Sequence, residues 1–439
     1  MTIKSEAAFA RRSYALSRRA VLAGASVAAI LAFSSPTFAA DVTGELVLLN
    51  WLTGNDGDMV KALEDGFVKA NPGVHFKNVD LTVQGDARGA IRAALQSGEK
   101  ADLFINTWPA FRKELADAGM LRDLGSLWDS AKIGDDLAQS WKDLGTTDGK
   151  LYGITFSFGD RSAMFYKTAT MQKAGITEQP KTWDEFVANF AKLQAVGVTP
   201  IAVGAKVWSH AEWFESIYEH LNGVEMAAKL TAHEIPWTDP TVISALKKWA
   251  ELIKAGCCGD ANTMLAMDWD NASDAVMKAG THGYQMIGMW NVGTTETNDG
   301  LKQGTDFSIQ QFPAMGAGND EVSSVDSREF SGLTVGANQP AADAFLAWIS
   351  SADAANVIAQ HGFASPSNKV DTSLYGPVQK LAVAAVANAK GVQFVMGDLL
   401  PGDLVDEYRV QLQKFLQDPS DANIDAVAKA IEAKAATSY

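Results

Sequence analysis

Indole rings and short polar side chains recur together where apolar runs of this chain give way to loops. Trp51 precedes Asn55 and Asp56, Gln84 precedes Asp86, and Asn106 precedes Trp108. Asp160 adjoins Arg161, Trp208 precedes Trp213, Asp268 adjoins Trp269, Trp290 adjoins Asn291, Asp326 precedes Arg328, and Asp398 stands alone. An indole is a flat apolar plate with an N–H at its edge, while amides, carboxylates and guanidinium groups form directional hydrogen bonds. Together they suit a compact polyhydroxyl ring, with its C–H face on a plate and its hydroxyls on the polar groups. The residues expected to carry this recognition are Trp51, Asn55, Asp56, Gln84, Asn106, Trp108, Arg161, Trp208, Trp213, Asp268, Trp290, Asn291 and Arg328. Trp249 and Trp348 stand at helical spacing and are expected in the core instead.

Bond-breaking chemistry has no comparable signature. The chain contains no H-E-x-x-H, G-x-S-x-G, Walker A or G-x-G-x-x-G run. Its histidines, His75, His210, His220, His233, His282 and His361, lack metal-ligand spacing. Asp268 and Asp270 are two carboxylates in one turn, a spacing that argues against a common aim. No catalytic residue, metal or cofactor is therefore expected.

The elements that must place these residues follow a mixed rhythm. Leu46–Trp51 is a buried-strand pattern, followed by a helix with Val60, Leu63 and Phe67 inward. A second strand near Val74–Leu81, a helix over Ala87–Leu95 and a third strand over Ala101–Ile105 complete a βαβαβ order, the pattern of a parallel sheet. Two extended segments flank Phe158–Arg161. A second α/β stretch then begins at the capping box Thr182-Trp183-Asp184-Glu185 and includes a strand over Thr199–Gly204. The long helix opened by Asp239-Pro240 ends at Gly256. Ala272, Ala275, Val276 and Ala279 give a helix closed by Gly280, and Tyr284–Trp290 reads as a strand with Trp290 at its carboxyl end. Phe307–Pro313 and Phe330–Val335 read as extended, and the last seventy residues as almost wholly helical.

Composition bounds the rest. The 439 residues are 47% hydrophobic and 20% charged, the profile of a globular chain long enough for more than one core. The formal charge is −15, and residues 1–39 hold five basic side chains against one acidic, so the remainder carries −19. Nucleic acid and anionic membranes are excluded as expected partners. Residues 1–39 read as an export signal, with Arg18-Arg19 before an apolar run and Thr37-Phe38-Ala39 at the cleavage point. A twin-arginine and a Sec route both fit. The only cysteines, Cys257 and Cys258, are adjacent and expected as buried thiols, a strained vicinal disulfide being the alternative.

Over some four hundred residues the chain resembles the extracellular sugar-binding proteins of ABC importers. The segments that carry the resemblance are LVLLNW, ADLFINTW, GKLYGITFSFGDRSAMFYK, TPIAVG with WSHAEWF, DWDNASDAVMKAGTHGYQMIGMW and EFSGLTVGA. That family usually has a charged residue or Gly before the last Trp, where this chain has Met289. The resemblance implies a two-lobed periplasmic binding protein fold of type II-like topology, an α/β fold. Each lobe would be a mainly parallel sheet flanked by helices, and the hinge would hold three crossovers, near Phe156–Arg161, Ile309–Ala314 and Gly362–Pro366. It places a signal peptide at 1–39, one lobe at 40–157 plus 313–362, and the other at 158–312 plus 363–439. It further implies a periplasmic monomer that captures a mono- or disaccharide, or a derivative, and delivers it to inner-membrane permease subunits. Presentation of the ligand to a chemoreceptor is the alternative implied use, and a secreted carbohydrate-active enzyme a more distant one.

Overall fold

The computed structural model describes residues 42–81 and 87–439; the leader and the candidates Gln84 and Asp86 lie outside the described residues. The strands are β1 (Gly44–Asn50), β2 (Val74–Asp80), β3 (Leu103–Asn106), β4 (Thr146–Thr147), β5 (Lys150–Leu151), β6 (Gly153–Asp160), β7 (Met164–Lys167), β8 (Thr199–Ile201), β9 (His282–Met286), β10 (Phe307–Gln310), β11 (Val322–Gly332) and β12 (Gly391–Phe394). One sheet has the order β12-β11-β3-β1-β2, with β6 also paired to β11, and a second has the order β10-β7-β9-β8. β4 and β5 form a small separate pair.

Side-chain alternation along each strand gives each sheet two apolar faces. Leu46, Leu48, Leu103 and Ile105 pack with Leu63 and Phe67 of the Gly54–Ala70 helix, while Val47, Leu49 and Phe104 pack the other way with Phe111 and Leu115. In the second sheet Met164, Ile201, Tyr284 and Met286 join one cluster, and Phe165, Ala202, Phe307 and Ile309 another. The first of these also takes in the helices Pro240–Lys254, Gly402–Gln417 and Asp421–Ser438 through Trp249, Phe415 and Ile431. Trp249 is thus core, as its helical spacing requires.

The α/β class is as expected, but the second sheet is not mainly parallel. Only β8 and β9 run parallel there, while β7 pairs antiparallel with both β9 and β10. The chain enters β7 directly from β6 across residues 161–163 and leaves through β10. These connecting strands need no βαβ crossover, which is what forces parallel pairing. The first sheet is mixed: β1 pairs parallel with β2 and β3, and β11 pairs antiparallel with β3 and β6. The late strand β12, in a region that reads as helical, adds parallel to the start of β11.

The chain passes from the first sheet to the second between Asp160 and Met164, and returns between Gln310 and Val322. A third passage leads from the Ala352–Gln360 helix, packed on the first sheet through Ile358, to the Pro377–Asn388 helix, packed on the second through Val378 and Ala382. Among the described residues, no helix is long and apolar enough to cross a membrane.

The two cysteines correct the thiol expectation, because Cys257 and Cys258 are bonded to each other. The preceding helix ends at Lys254, and Gly256, with φ of 75°, turns the chain so that both side chains enter the same core, 0% and 4% exposed. They lie under β8, where Ile201 N–H donates to the Cys257 carbonyl at 2.7 Å. Replacing both with Ser is expected to leave ligand affinity within about threefold, less than about 0.7 kcal/mol. A hundredfold loss in a titration would contradict this placement.

Candidate binding cleft

Loops at the ends of both sheets enclose one cleft of about 810 Å³, within the size range of small-molecule sites. Five tryptophans line it: Trp51, Trp108, Trp208, Trp269 and Trp290. Trp51 follows β1 and Trp108 precedes the Pro109–Asp117 helix after β3, with ring centroids 5.0 Å apart and planes tilted by 31°. The Trp51 indole N–H donates to the Ile105 carbonyl at 2.8 Å, which fixes the ring at the strand end. From the second sheet, Trp208 and Trp269 lie 6.0 and 6.1 Å from Trp290. Trp290 itself is partly buried against apolar clusters of both sheets.

Local backbone explains how Trp290 reaches this position. β9 ends at Met286, and Trp290 is the first residue of the Trp290–Asp299 helix rather than the last of a strand. The indole folds back over Gly288, where a Cβ would sit 2.0 Å from the ring, so the short Gly288-Met289 link is needed for the ring to lie flat. One turn on, Gly293 lets this helix approach Asn55, whose amide also donates to the His361 carbonyl at 2.8 Å.

The charged lining is dense and mostly acidic. Asp56, Glu212, Glu215, Asp268, Asp270, Asp326 and Asp398 face Arg161, Lys206, Arg328 and Arg409. Arg161 is buried at 7% exposure, ion-paired to Glu212 and, at 3.5 Å, to Asp326, and its guanidinium lies 4.6 Å from the Trp290 ring centre and 5.2 Å from that of Trp208. Arg328 pairs with Asp56 at 2.7 Å and lies 5.8 Å from the Trp290 ring centre. Lys206 meets Asp268 at 3.4 Å. A guanidinium held this way presents a planar donor edge to hydroxyls while its charge is already compensated.

The inner wall is the Ala211–Asn222 helix. Its Glu212, Glu215 and Glu219 repeat at i, i+3 and i+7, all at most 3% exposed, while Trp213, Phe214, Ile217 and Tyr218 fill the core around them. Glu215 accepts from the Met396 and Gly397 N–H groups at 2.8 and 3.2 Å and from the Tyr408 hydroxyl at 3.1 Å, which sets the turn carrying Asp398. Burial raises the Glu215 carboxyl above its ordinary range and pushes Glu219 up to about 8. Burial also pushes Asp398 up to about 7, with Arg161 and Arg88 pulling down and Asp326 and Glu215 pushing up. Asp56 is raised by burial against the pull of Arg328. At the rim, a hydrogen bond between Asp268 and Asp270 lowers the first and raises the second, a contact that their spacing argues against.

Of the residues expected at the site, Trp51, Asn55, Asp56, Trp108, Arg161, Trp208, Asp268, Trp290 and Arg328 line the cleft. Three do not. Trp213 is 1% exposed and stacked 6.4 Å from Phe186, because it falls on the core face of its helix. Asn106 is fully buried and donates to Glu329 at 2.7 Å, sharing that carboxylate with Arg112. Asn291 is fully buried and accepts from Ser273 Oγ at 2.8 Å, turned inward by the helix that begins at Trp290. Lys206, Glu212, Glu215 and Arg409 also line the cleft and were not expected there. The signal for two of them was present, since a Glu stripe inside an otherwise apolar helix places carboxylates where they must meet a partner.

The model of the bacterial extracellular solute-binding protein family matches residues 52–356. The alpha-glucosides-binding periplasmic protein AglE of Rhizobium meliloti is 27% identical over 83% of this chain and 81% of its own length. A probable sugar-binding periplasmic protein of Mesorhizobium japonicum is 26% identical over 94% and 98% respectively. Among solved structures, the bacterial solute receptor AcbH, described as preferring β-D-galactopyranose, superposes with a TM-score of 0.80 at 23% identity, covering 90% of this chain and 99% of that one. A chitin oligosaccharide binding protein superposes with a TM-score of 0.77 at 21% identity over 90% and 99%.

Proposed function

The chain belongs to the bacterial extracellular solute-binding proteins, and from that premise we propose that it captures a small carbohydrate in the tryptophan-lined cleft and hands it unchanged to an ABC importer. The observation that carries this reading is the set of five indole faces, drawn from both sheets, around one cleft that also holds planar donors and acceptors. A C–H face stacked on indole and hydroxyls shared among carboxylates and guanidinium groups use both kinds of surface at once. The names of AglE and of the Mesorhizobium japonicum relative support the carbohydrate class and a periplasmic site of action.

In this reading residues 1–39 are removed on export, and the free monomer works in the periplasm with permease subunits of the inner membrane as partners. Lobes at 40–157 plus 313–362 and at 158–312 plus 363–439, the last segment reaching back to the first sheet through β12, close on the ligand about the three passages between sheets. Arg161 sits beside one of these passages, so closure and ligand contact meet at the same residue. The carboxylates take part as hydrogen-bond acceptors and counter-charges, and no step of bond cleavage is assigned to them.

A thermal-shift screen of the mature chain against neutral mono- and disaccharides tests this. A saccharide at about 100 times its Kd is expected to stabilise the fold by about 2.7 kcal/mol, and mass spectrometry should recover it intact. Steady conversion of the saccharide would overturn the transport reading, and absence of any stabilising saccharide would overturn the carbohydrate reading.

A further inference from the structure

Resting on the carbohydrate reading above, we propose that the cleft selects saccharides without negative charge, and that Glu212 and Asp398 set this selectivity by requiring hydrogen-bond donors from the ligand. Among the described residues, seven carboxylates line the cleft against four cations. Arg161, Arg328 and Lys206 each already hold a carboxylate partner, so a ligand carboxylate would have to compete with Glu212, Asp326, Asp56 or Asp268 for them. On the other side of the balance, two wall carboxylates each keep one oxygen without a donor. Glu212 is 3% exposed and Asp398 6%, and among the described residues Oε2 of the first and Oδ2 of the second have no hydrogen-bond partner.

A buried carboxylate oxygen without a donor is costly, and a ligand hydroxyl or ammonium group relieves that cost where a ligand carboxylate adds to it. Like charges brought together in a desolvated site are a strong rejecting element. The surroundings of Asp398 agree: Asp326 and Glu215 face it from β11 and the Ala211–Asn222 helix, opposed by Arg161 and Arg88, with the Arg409 guanidinium 3.5 Å from where a Cβ on the neighbouring Gly397 would stand. Burial pushes its carboxyl up to about 7. A ligand donor favours the ionised form, so binding releases a proton and affinity rises with pH through that range.

The test is calorimetric titration of the mature chain with three matched sets. These are D-glucose, D-glucuronate and D-glucosamine; D-galactose, D-galacturonate and D-galactosamine; and maltose and trehalose with their oxidised, carboxylate-bearing counterparts. For whichever set contains the binder, the acid is expected to bind at least about a hundredfold more weakly than its neutral parent. Affinity for the parent should rise about five- to tenfold from pH 6 to pH 8, by proton linkage to a group near 7. Asp398→Asn, with its melting temperature checked against the native chain, should abolish that rise and narrow the discrimination against the acid to about tenfold. An acid bound within tenfold of its neutral parent by the native chain, or an unchanged pH profile in Asp398→Asn, would overturn the inference and leave the carbohydrate reading standing. No heat with any of these sugars would overturn both.

Discussion

Trp290→Ala is expected to weaken saccharide binding by roughly thirtyfold or more while leaving most of the fold's stability in place. A stacked aromatic at the centre of a closed site behaves as a hot spot worth about 2 kcal/mol or more, and about 1.4 kcal/mol corresponds to a decade in affinity. Trp290 meets the conditions for that role. It is partly exposed to the cleft, touches apolar clusters from both sheets, and has the guanidinium groups of Arg161 and Arg328 within 4.6 and 5.8 Å of its ring centre. A fully buried tryptophan reduced to Ala costs about 3–5 kcal/mol of stability through lost contacts and a cavity. Trp290 is only half-buried and opens on the cleft, so a clearly smaller loss is expected. Affinity and melting temperature should be measured on the same variant. A collapsed melting temperature with near-normal affinity at low temperature would assign the ring to the core.

Arg161→Ala should show the opposite balance. Its guanidinium is the partner of two carboxylates, Glu212 and Asp326, that are 3% and 4% exposed, and removing it leaves both without their counter-charge in a desolvated wall. Breaking a buried ion pair from one side costs about 3–5 kcal/mol, most of it the penalty of the stranded charges. Denaturant unfolding should therefore show a sharply lowered midpoint even without ligand. Arg161→Lys should recover part of the stability through its charge but not the affinity, because an ammonium lacks the planar fork that lies over Trp290 and Trp208. Stability within about 1 kcal/mol of the native chain for Arg161→Ala would show that these carboxylates do not depend on it.

The parts of the site legible in the sequence were those whose surroundings are local. Trp51 and Trp108 follow apolar strand patterns and emerge at strand ends as the pattern requires. The capping box at Thr182 and Glu185 forms as its spacing dictates, with Glu185 N–H donating to Thr182 Oγ1 at 3.3 Å. The failures share a physical cause. Val322–Gly332 contains Ser323, Ser324, Asp326, Ser327, Arg328 and Glu329, which by composition resembles a loop, so only its apolar end was expected as strand. The polar residues are there because β11 is buried and supplies Asp326 and Arg328 to the cleft and Glu329 to Asn106 and Arg112. A register shift between Arg328 and Glu329 helps aim them at these different partners.

Trp213 and Trp208 illustrate the same limit from the other direction. Both precede or enter the same helix and look equivalent in a list of tryptophans, yet one lines the cleft and the other packs on Phe186. Only the orientation of the Ala211–Asn222 helix decides between them, and that orientation is set by contacts far away in sequence, including Glu215 with Met396 and His210 with the Arg409 carbonyl. The two histidines flanking this stretch are buried and pushed down to about 4. They are therefore neutral rings at ordinary pH.

Calorimetric titration of the mature chain with the neutral saccharide that gives the largest thermal shift is the sharpest test of one carbohydrate held between tryptophan plates from both sheets. A single saturating site per chain and a negative heat-capacity change as apolar faces are buried are expected. Trp290→Ala is expected to reduce that affinity by roughly thirtyfold or more. Saturable binding that Trp290→Ala leaves unchanged, or no saturable heat with any neutral mono- or disaccharide, would contradict it.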